Sequence, residues 1–246
     1  MNNLSEKVIV VTGGSGLLGQ SIIKHIKNEG GTVINADITN ITNLEVGLLK
    51  CDVTNINSIQ SCVSSIIEKF GKIDGWVNNA YPRTKDWGDQ FEDIKLNSWN
   101  SNIEMQLNSV FMCCQEVLKI MKSQQFGSIV NIASIYGIVG PDFSIYEGTS
   151  MTMPAAYSAI KGGVINFSRY LASYYGPNNI RINCVSPGGI FDNQVSNFVS
   201  QYEKKVPLRR MGVPEDISPT VVFLLGKDSA YITGQNIIID GGWTAI

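Results

Sequence analysis

Near-continuous apolar runs of strand length alternate along this chain with longer segments whose apolar residues recur at helical spacing. The strand-like runs lie at 7–11, 32–36, 47–51, 73–78, 127–133, 180–185 and 236–240. The first, Lys7-Val8-Ile9-Val10-Val11, is rich in β-branched residues, as a buried strand is. Helical spacing fills the gaps at about 17–29, 55–70, 97–123, 155–175 and 214–226. This steady alternation predicts βαβ units and a parallel sheet, hence an α/β fold. No repeat, low-complexity tract or linker interrupts it, so one domain over 1–246 is expected. The stretches 81–96, 136–154 and 188–212 carry no period. Ligands of an open α/β sheet bind beyond the carboxyl ends of its strands. Each of the three stretches follows a predicted strand, so together they are expected to ring the active site.

Composition narrows the function more than the fold. The 246 residues carry 19 Lys and Arg against 21 Asp and Glu, a net charge of −2, so no basic footprint for nucleic acid is present. Charged residues make up 16%, below the usual ~25%, which fits a chain that buries much of its surface, as a member of an oligomer does. No stretch nears the ~20 apolar residues of a membrane span, and Met1 to Glu6 is polar rather than a signal segment. The five cysteines, Cys51, Cys62, Cys113, Cys114 and Cys184, include no C-x-x-C pair. Reduced thiols and a cytoplasmic location are expected. His25 is the single histidine, which argues against a Ser-His-Asp triad and a histidine-based zinc site, so no metal is expected.

Candidate chemistry begins with Tyr157 and Lys161 in Y-S-A-I-K. On a helix, i and i+4 share a face, which sets an ammonium beside a phenol. The positive charge favours the phenolate, so the Tyr157 pKa is expected to fall from ~10 toward neutrality, where a phenol can exchange a proton with a carbonyl or alcohol oxygen. Such a pair also arises by chance as an exposed Tyr beside a solvated Lys; its company decides. The first strand runs into Thr12-Gly13-Gly14-Ser15-Gly16-Leu17-Leu18-Gly19, where Gly14, Gly16 and Gly19 have G-x-G-x-x-G spacing, and a helical pattern follows. In that context glycine permits a tight turn and lets backbone N–H groups approach a pyrophosphate at the helix N-terminus. Asp37 closes the second strand, where the same fingerprint expects an acid for the ribose hydroxyls. A carboxylate there repels a 2′-phosphate, and no Lys or Arg occupies 13–20 or 36–42, so NAD is expected over NADP.

Together these residues resemble the classical short-chain dehydrogenase/reductase family over nearly the whole chain. The ordered matches are the glycine loop, Asp37, Cys51-Asp52-Val53, Asn78-Asn79-Ala80, Asn108, Ser134, Tyr157 with Lys161, and Pro187-Gly188. The resemblance implies a single doubly wound parallel sheet, the Rossmann fold, with helices on both faces, and hydride transfer between nicotinamide and an alcohol or ketone. It implies that Tyr157 is the general acid/base, that Lys161 lowers its pKa and holds the nicotinamide ribose, and that Ser134 hydrogen-bonds the substrate oxygen. Asn108 would complete a proton relay through water. Cofactor contacts would come from Gly13, Ser15, Gly16, Leu17, Gly19, Asp37, Asp52, Val53, Asn79, Ala80, Tyr157, Lys161, Pro187, Gly188 and Ile190, while Asn78 would brace strands. Bland alternatives stand beside three of these: Asn108 as a polar kink in a long helix, Ser134 as a strand-end cap, and Asp52 as the cap of the next helix.

Four features depart from the family pattern. The T-G-x-x-G-x-x-G spacing of Thr12 to Gly19 is more typical of the branch that includes sugar epimerases and dehydratases, for whose larger C-terminal part this chain is too short. Tyr81 stands where glycine is usual. The segment between Ser134 and Tyr157 is long. Pro187-Gly188-Gly189-Ile190 lacks the threonine that usually follows, leaving Asp192 or Asn193 as replacements.

Substrate clues lie in the loops. In Tyr81-Pro82-Arg83-Thr84-Lys85-Asp86-Trp87, Arg83 is suited to clamp a phosphate or carboxylate, and Tyr81 or Trp87 to stack on a sugar ring; the alternative is a solvated loop with its own ion pairs. The insert Pro141 to Thr149 resembles a lid over a polyhydroxylated substrate. Arg209-Arg210 is either an anion site or a structural turn. The loops are similar to those of short-chain dehydrogenases of flagellin-modification and nonulosonic-acid sugar clusters. The expected function is NAD-dependent hydride transfer on a secondary alcohol or ketone of a sugar or sugar phosphate. The alternatives are a sugar-nucleotide epimerase or dehydratase, and a non-enzymatic nucleotide-sensing scaffold. A homotetramer or homodimer is expected through the helices at 97–123 and 155–175, with Phe111, Met112, Val117, Leu118, Phe167, Tyr170 and Leu171. Ile237 to Ile239 and Trp243 to Ile246 would add a second interface. The alternative is that these apolar residues face the chain's own sheet.

Overall fold

In the computed structural model, which describes residues 3–246, the seven apolar runs become seven strands. They are β1 (Val8–Thr12), β2 (Thr32–Asp37), β3 (Leu48–Lys50), β4 (Gly75–Asn78), β5 (Gly127–Ile132), β6 (Ile180–Pro187) and β7 (Asn236–Ile239). All pair in parallel, in the order β3-β2-β1-β4-β5-β6-β7. The chain enters at β1, winds outward to β3, crosses to β4 on the other side of β1 and winds outward again to β7. That reversal makes the sheet doubly wound, with its switch point between the carboxyl ends of β1 and β4.

The helices are α1 (Leu17–Asn28), α2 (Ile56–Phe70), α3 (Leu96–Ile103), α4 (Ser109–Gln124), α5 (Ala155–Tyr175), α6 (Ser196–Lys205) and α7 (Pro214–Leu225). They cover both faces. Side chains alternate across a strand, so Val8 and Val10 pack with α2, α4 and α5, while Ile9 and Val11 pack with α1 and α7. Burial on both faces is why β1 reads as a continuous apolar run. No helix among the described residues is long and apolar enough to cross a membrane.

Two boundaries differ from the sequence expectation. The helix over 97–123 is interrupted by a π-turn, Glu104–Asn108, between α3 and α4. The stretch 188–212 contains α6, whose few buried positions, Phe198 and Tyr202, are too sparse to reveal a period. The proposed interface residues also divide. Val117, Leu118 and Leu171 belong to the chain's own core and Met112 and Phe167 pack partly buried against it, whereas Phe111 and Tyr170, with the neighbouring Tyr174, are exposed.

A buried polar chain ties the elements that carry the site. The Trp76 indole N–H donates to Asn78 Oδ1 at 2.8 Å, Asn78 Nδ2 to Asn131 Oδ1 at 2.7 Å, and Asn131 Nδ2 to Ser168 Oγ at 2.7 Å. Leaving one such group unpaired costs about 1–3 kcal/mol, so the chain holds β4, β5 and α5 to one register. Asn78 thus braces strands, as expected.

Candidate active site

The glycine turn is shaped by close approach of the backbone. Gly13 has φ +61°, and a Cβ on it would stand 2.7 Å from Ala80 Cα. A Cβ on Gly19 would stand 2.3 Å from Gly13 O. Gly16 is different. It is the N-cap of α1, and its Cβ would meet only Gly13 O at 3.4 Å, an ordinary contact. No side chain caps α1 and its first turn holds no acid, so its N–H groups fit an anion such as a pyrophosphate. Asn79 Nδ2 donates to Thr12 O at 3.1 Å and Gly13 O at 2.9 Å. Asn79 and Ala80 N–H both donate to Thr12 Oγ1. These two residues therefore wall the turn, and Leu17 is exposed at the start of α1.

Asp37 is buried at the end of β2. Its carboxylate accepts from Ser15 N–H at 3.1 Å, Thr39 N–H at 3.0 Å and Thr39 Oγ1 at 2.7 Å. Burial pushes its carboxyl up, but the bonds from Thr39 and Ser15 outweigh that and leave it below the ordinary value. Asp37 is thus ionised near neutral pH with acceptor capacity to spare. Asp52 closes an Asx turn, accepting from Thr54 N–H at 2.9 Å and Thr54 Oγ1 at 2.7 Å. The cap of α2 is Asn55, so the capping alternative for Asp52 falls. Val53 packs its side chain into the core, which leaves its backbone for any ligand contact.

At the far side of the switch point, Tyr157 and Lys161 ride on the first two turns of α5, and Ser134 follows β5. The Ser134 hydroxyl lies close enough to the Tyr157 phenol to pull its pKa down. It also accepts from Tyr136 N–H at 3.2 Å, capping the short turn Ile135–Gly137, so its cap role and its partnership with Tyr157 coexist. Lys161 Nζ donates to Ile132 O at 2.8 Å and lies 5.5 Å from the Tyr157 ring centroid.

The expected fall in the Tyr157 pKa is not seen. Burial pushes the phenol above its ordinary value, the Ser134 hydroxyl pulls it partly back, and Tyr146 adds to the rise. Burial pushes Lys161 itself down to about 8. Its ammonium lies over the ring face and binds a carbonyl, so Ser134 is the partner that pulls the phenol down. The Asn108 expectation also needs correction. Asn108 is exposed at the end of the π-turn, whereas Gln106 is 4% exposed and both its amide atoms lack a partner among the described residues. Asn108 lies two residues on in the same π-turn, so it emerges on the outer side of the helix when Gln106 faces in. The signal was available: Asn102, Gln106 and Cys113 share one buried face at spacings of four and seven.

Three loops close over this pair. Tyr81 packs edge-on against Tyr157, centroids 5.6 Å apart, and against Trp87 at 5.9 Å; Trp87 meets Tyr157 at 6.2 Å. Arg83 lies over the Tyr81 ring at 5.5 Å, and no carboxylate among the described residues pairs with it. Asp86 instead accepts from Ser98 Oγ at 2.7 Å. The insert over 136–154 docks on α6. Asn197 and Gln201 both donate to Glu147 O, at 3.0 and 2.9 Å, and Lys205 pairs with Asp142 at 2.8 Å. Tyr146 stacks on Phe198 at 5.3 Å, and its phenol lies near enough to that of Tyr136 for each to shift the other's pKa. Sequence reasoning named neither tyrosine as a site residue, although Tyr136 follows Ser134 by two positions.

The wall after β6 is also built by packing. Gly189 N–H donates to the Tyr202 hydroxyl at 2.5 Å, and a Cβ on Gly188 would stand 2.9 Å from Asp240 Cα. Pro187 ends β6, and Ile190 bridges to Gly212. Asp192 and Asn193 are exposed turn residues. Arg210 forks onto Asp216 at 2.6 and 2.7 Å, and Arg209 binds Lys204 O. Of the two readings for this arginine pair, the structural turn holds.

Comparison with known proteins agrees with this geometry. The family model described as enoyl-(acyl carrier protein) reductase matches residues 17–244. Post-translational flagellin modification protein A of Campylobacter coli is 35% identical, over 98% of this chain and 99% of that protein. A 7alpha-hydroxysteroid dehydrogenase of Bacteroides fragilis is 31% identical, over 99% of this chain and 96% of that protein. Among solved structures, a short chain dehydrogenase from Leptospira borgpetersenii with bound NAD+ superposes with a TM-score of 0.90 at 34% identity, covering 99% of this chain and 94% of that one. The resemblance to flagellin-modification dehydrogenases expected from the loops is therefore real. Matches of this extent, on a doubly wound sheet with the expected serine, tyrosine and lysine at its switch point, make this chain an oxidoreductase of the short-chain dehydrogenase/reductase family.

Proposed function

We propose that the protein is an NAD-dependent oxidoreductase acting on a secondary alcohol or ketone of a sugar or sugar phosphate. The observation that carries the reading is the grouping of Ser134, Tyr157 and Lys161 beside the glycine turn, with the buried carboxylate of Asp37 at the turn's other edge. NAD bound there supplies the hydride acceptor or donor. Gly13, Ser15, Gly16, Gly19 and the N-terminus of α1 hold its pyrophosphate, Asp37 its adenosine ribose, Asp52 and Val53 its adenine side, and Asn79, Ala80, Pro187, Gly188 and Ile190 the walls around its nicotinamide half. Asp37 disfavours a 2′-phosphate by charge repulsion. The NAD+-bound relative supports the same choice.

Tyr157 exchanges a proton with the substrate oxygen, and Ser134 orients and polarises that oxygen. The raised pKa keeps the phenol protonated near neutrality, ready to act as the acid in ketone reduction. Alcohol oxidation needs the phenolate, so its rate rises with pH toward the Tyr157 pKa. Lys161 holds the nicotinamide ribose. Gln106, with its unpartnered buried amide, takes the relay role first expected of Asn108. The guanidinium of Arg83, which has no carboxylate partner among the described residues, suits an anionic substrate, and the aromatic rings of Tyr81 and Trp87 beside it suit a sugar. The exposed aromatic stripe of Phe111, Tyr170 and Tyr174 supports a homodimer or homotetramer, and the five free, buried cysteines are the support for a reducing, cytoplasmic location. A screen of sugars, sugar phosphates and polyols with NAD, read at the NADH absorbance, tests the reading. Turnover of at least one polyol or sugar is expected. Activity confined to acyl thioesters or steroids would overturn the substrate class, and retained NAD without net turnover would point to an epimerase.

A further inference from the structure

We propose that Tyr81 is a positioning residue of the Tyr157–Lys161 pair, holding the Lys161 ammonium against the face of its ring. The inference rests on the oxidoreductase reading and extends it to a residue that the loop chemistry suggested as a platform for substrate. Lys161 Nζ lies 5.7 Å from the Tyr81 centroid and 5.5 Å from the Tyr157 centroid. The two rings meet at 78°, so the ammonium sits in the angle between two aromatic faces. Trp87 closes the third side, at 5.9 Å from Tyr81 and 6.2 Å from Tyr157. Tyr81 is 39% exposed, yet Trp87, Tyr157, Arg83 and Lys161 all pack on it.

An ammonium has three donors, and among the described residues Lys161 uses one of them, on Ile132 O. The groups around it are Tyr157 on its own helix, Tyr81 after β4, the Ile132 carbonyl of β5 and the Cys184 thiol of β6, with Arg83 beyond Tyr81. None is a carboxylate. A cation within about 6 Å of a ring centroid is attracted to the ring's negative face. The two faces, the carbonyl and the Cys184 thiol are therefore what favours the charged form against burial, and the Arg83 guanidinium, which also packs on Tyr81, opposes it. Removing one face should let Lys161 lose its proton at lower pH.

The test is a titration of the Lys161 Cε resonance in 13C-lysine-labelled, cofactor-free protein, assigned by its disappearance in Lys161→Arg. Tyr81→Phe keeps the ring face and should titrate with the parent. Tyr81→Leu and Tyr81→Met keep apolar volume without a π face, and should lower the midpoint by about half a unit. Two outcomes overturn the proposal: Leu or Met titrating with the parent, which makes the ring a space-filler, or Phe shifting as far as Leu, which transfers the effect to the hydroxyl. Either apolar variant suffices if the other does not fold. The titration needs no substrate, so a failed screen leaves it standing, and an active enzyme with an unmoved midpoint sinks this inference alone. With a substrate in hand, the pH profile of kcat/KM should move in step with the titration in each variant.

Discussion

Around the glycine turn, the contacts run through backbone groups that adjacent strands deliver: Asn79 to Thr12 O and Gly13 O, Gly13 N–H to Ala36 O, Ser15 N–H to Asp37. Around the insert, they run between surface segments distant in sequence, Asn197 and Gln201 to Glu147 O and Lys205 to Asp142. The first set is fixed as soon as β1, β2 and β4 pair. It also admits no side chain at Gly13 or Gly19. The second set depends on how two loops meet, and most of its polar atoms lie near solvent. The comparison teaches that the part of the site common to many reactions is set by the sheet. The insert is held by replaceable docking contacts, so it can change without disturbing the fold.

The largest effect is expected where the two regions meet. Tyr157→Phe should lower kcat by about 10²- to 10⁴-fold, the usual range for loss of a general acid or base, while NAD affinity stays at the parent value. Steady-state kinetics with the best screened substrate, together with calorimetry of NAD binding, decides it. Turnover close to the parent's would show that the proton comes from elsewhere, with Tyr81, whose ring packs on Tyr157, the next phenol to examine.

A smaller effect should follow from loosening the glycine-turn region alone. Hydrogen bonds to a charged group are each worth ~1.5–3 kcal/mol, so Asp37→Ala should weaken NAD binding by about 10- to 100-fold. Discrimination against NADP should relax in the same variant, because the repelling charge is gone. The insert and α6 should show parent-like hydrogen exchange. A parent enzyme that prefers NADP in kcat/KM would refute the role given to Asp37.

The same contrast explains what could be read from the sequence. The strands, the glycine turn, Asp37, Tyr157 and Lys161 are legible because each is encoded at short range: β-branched runs, fixed glycine spacing, an i,i+4 pair. Asn108 was misread because a motif counted along the chain carries no record of which way a helix faces; burial singles out Gln106 instead. The pKa of Tyr157 was misjudged because spacing reports a neighbour but not desolvation, and here burial is the larger influence. Helix α6 was missed because its two buried aromatics, Phe198 and Tyr202, acquire meaning only against Tyr146 and Trp243 from other segments. Arg83 and Arg210 look alike in sequence, yet the first lies over the Tyr81 ring with no carboxylate partner among the described residues and the second forks onto Asp216.

The smallest expected effect lies in the docking itself, and it tests whether the two regions are independent. Lys205→Ala or Asp142→Asn removes an ion pair whose lysine side chain is 50% exposed, so the stability change should be only ~0.2–1 kcal/mol and should shrink with added salt. Its pH dependence has a definite sign. Lys205 and Ser144 hold the Asp142 carboxyl down to about 2, against an unfolded value of ~3.9. A carboxyl depressed on folding contributes stability that is fully present above the unfolded value and is lost as pH falls through the folded one. The difference between parent and Asp142→Asn should therefore be constant above about pH 5 and vanish toward pH 2. Thermal unfolding at several pH values measures it. Hydrogen exchange should rise over 142–149 and 196–205 in both variants, because the insert loses its charged anchor while Asn197 and Gln201 remain. NAD affinity should not move. A matching loss of NAD affinity would mean that the docking of the insert reaches the glycine turn, most directly through Tyr202 and Gly189 N–H, and that the division between the two regions is wrong.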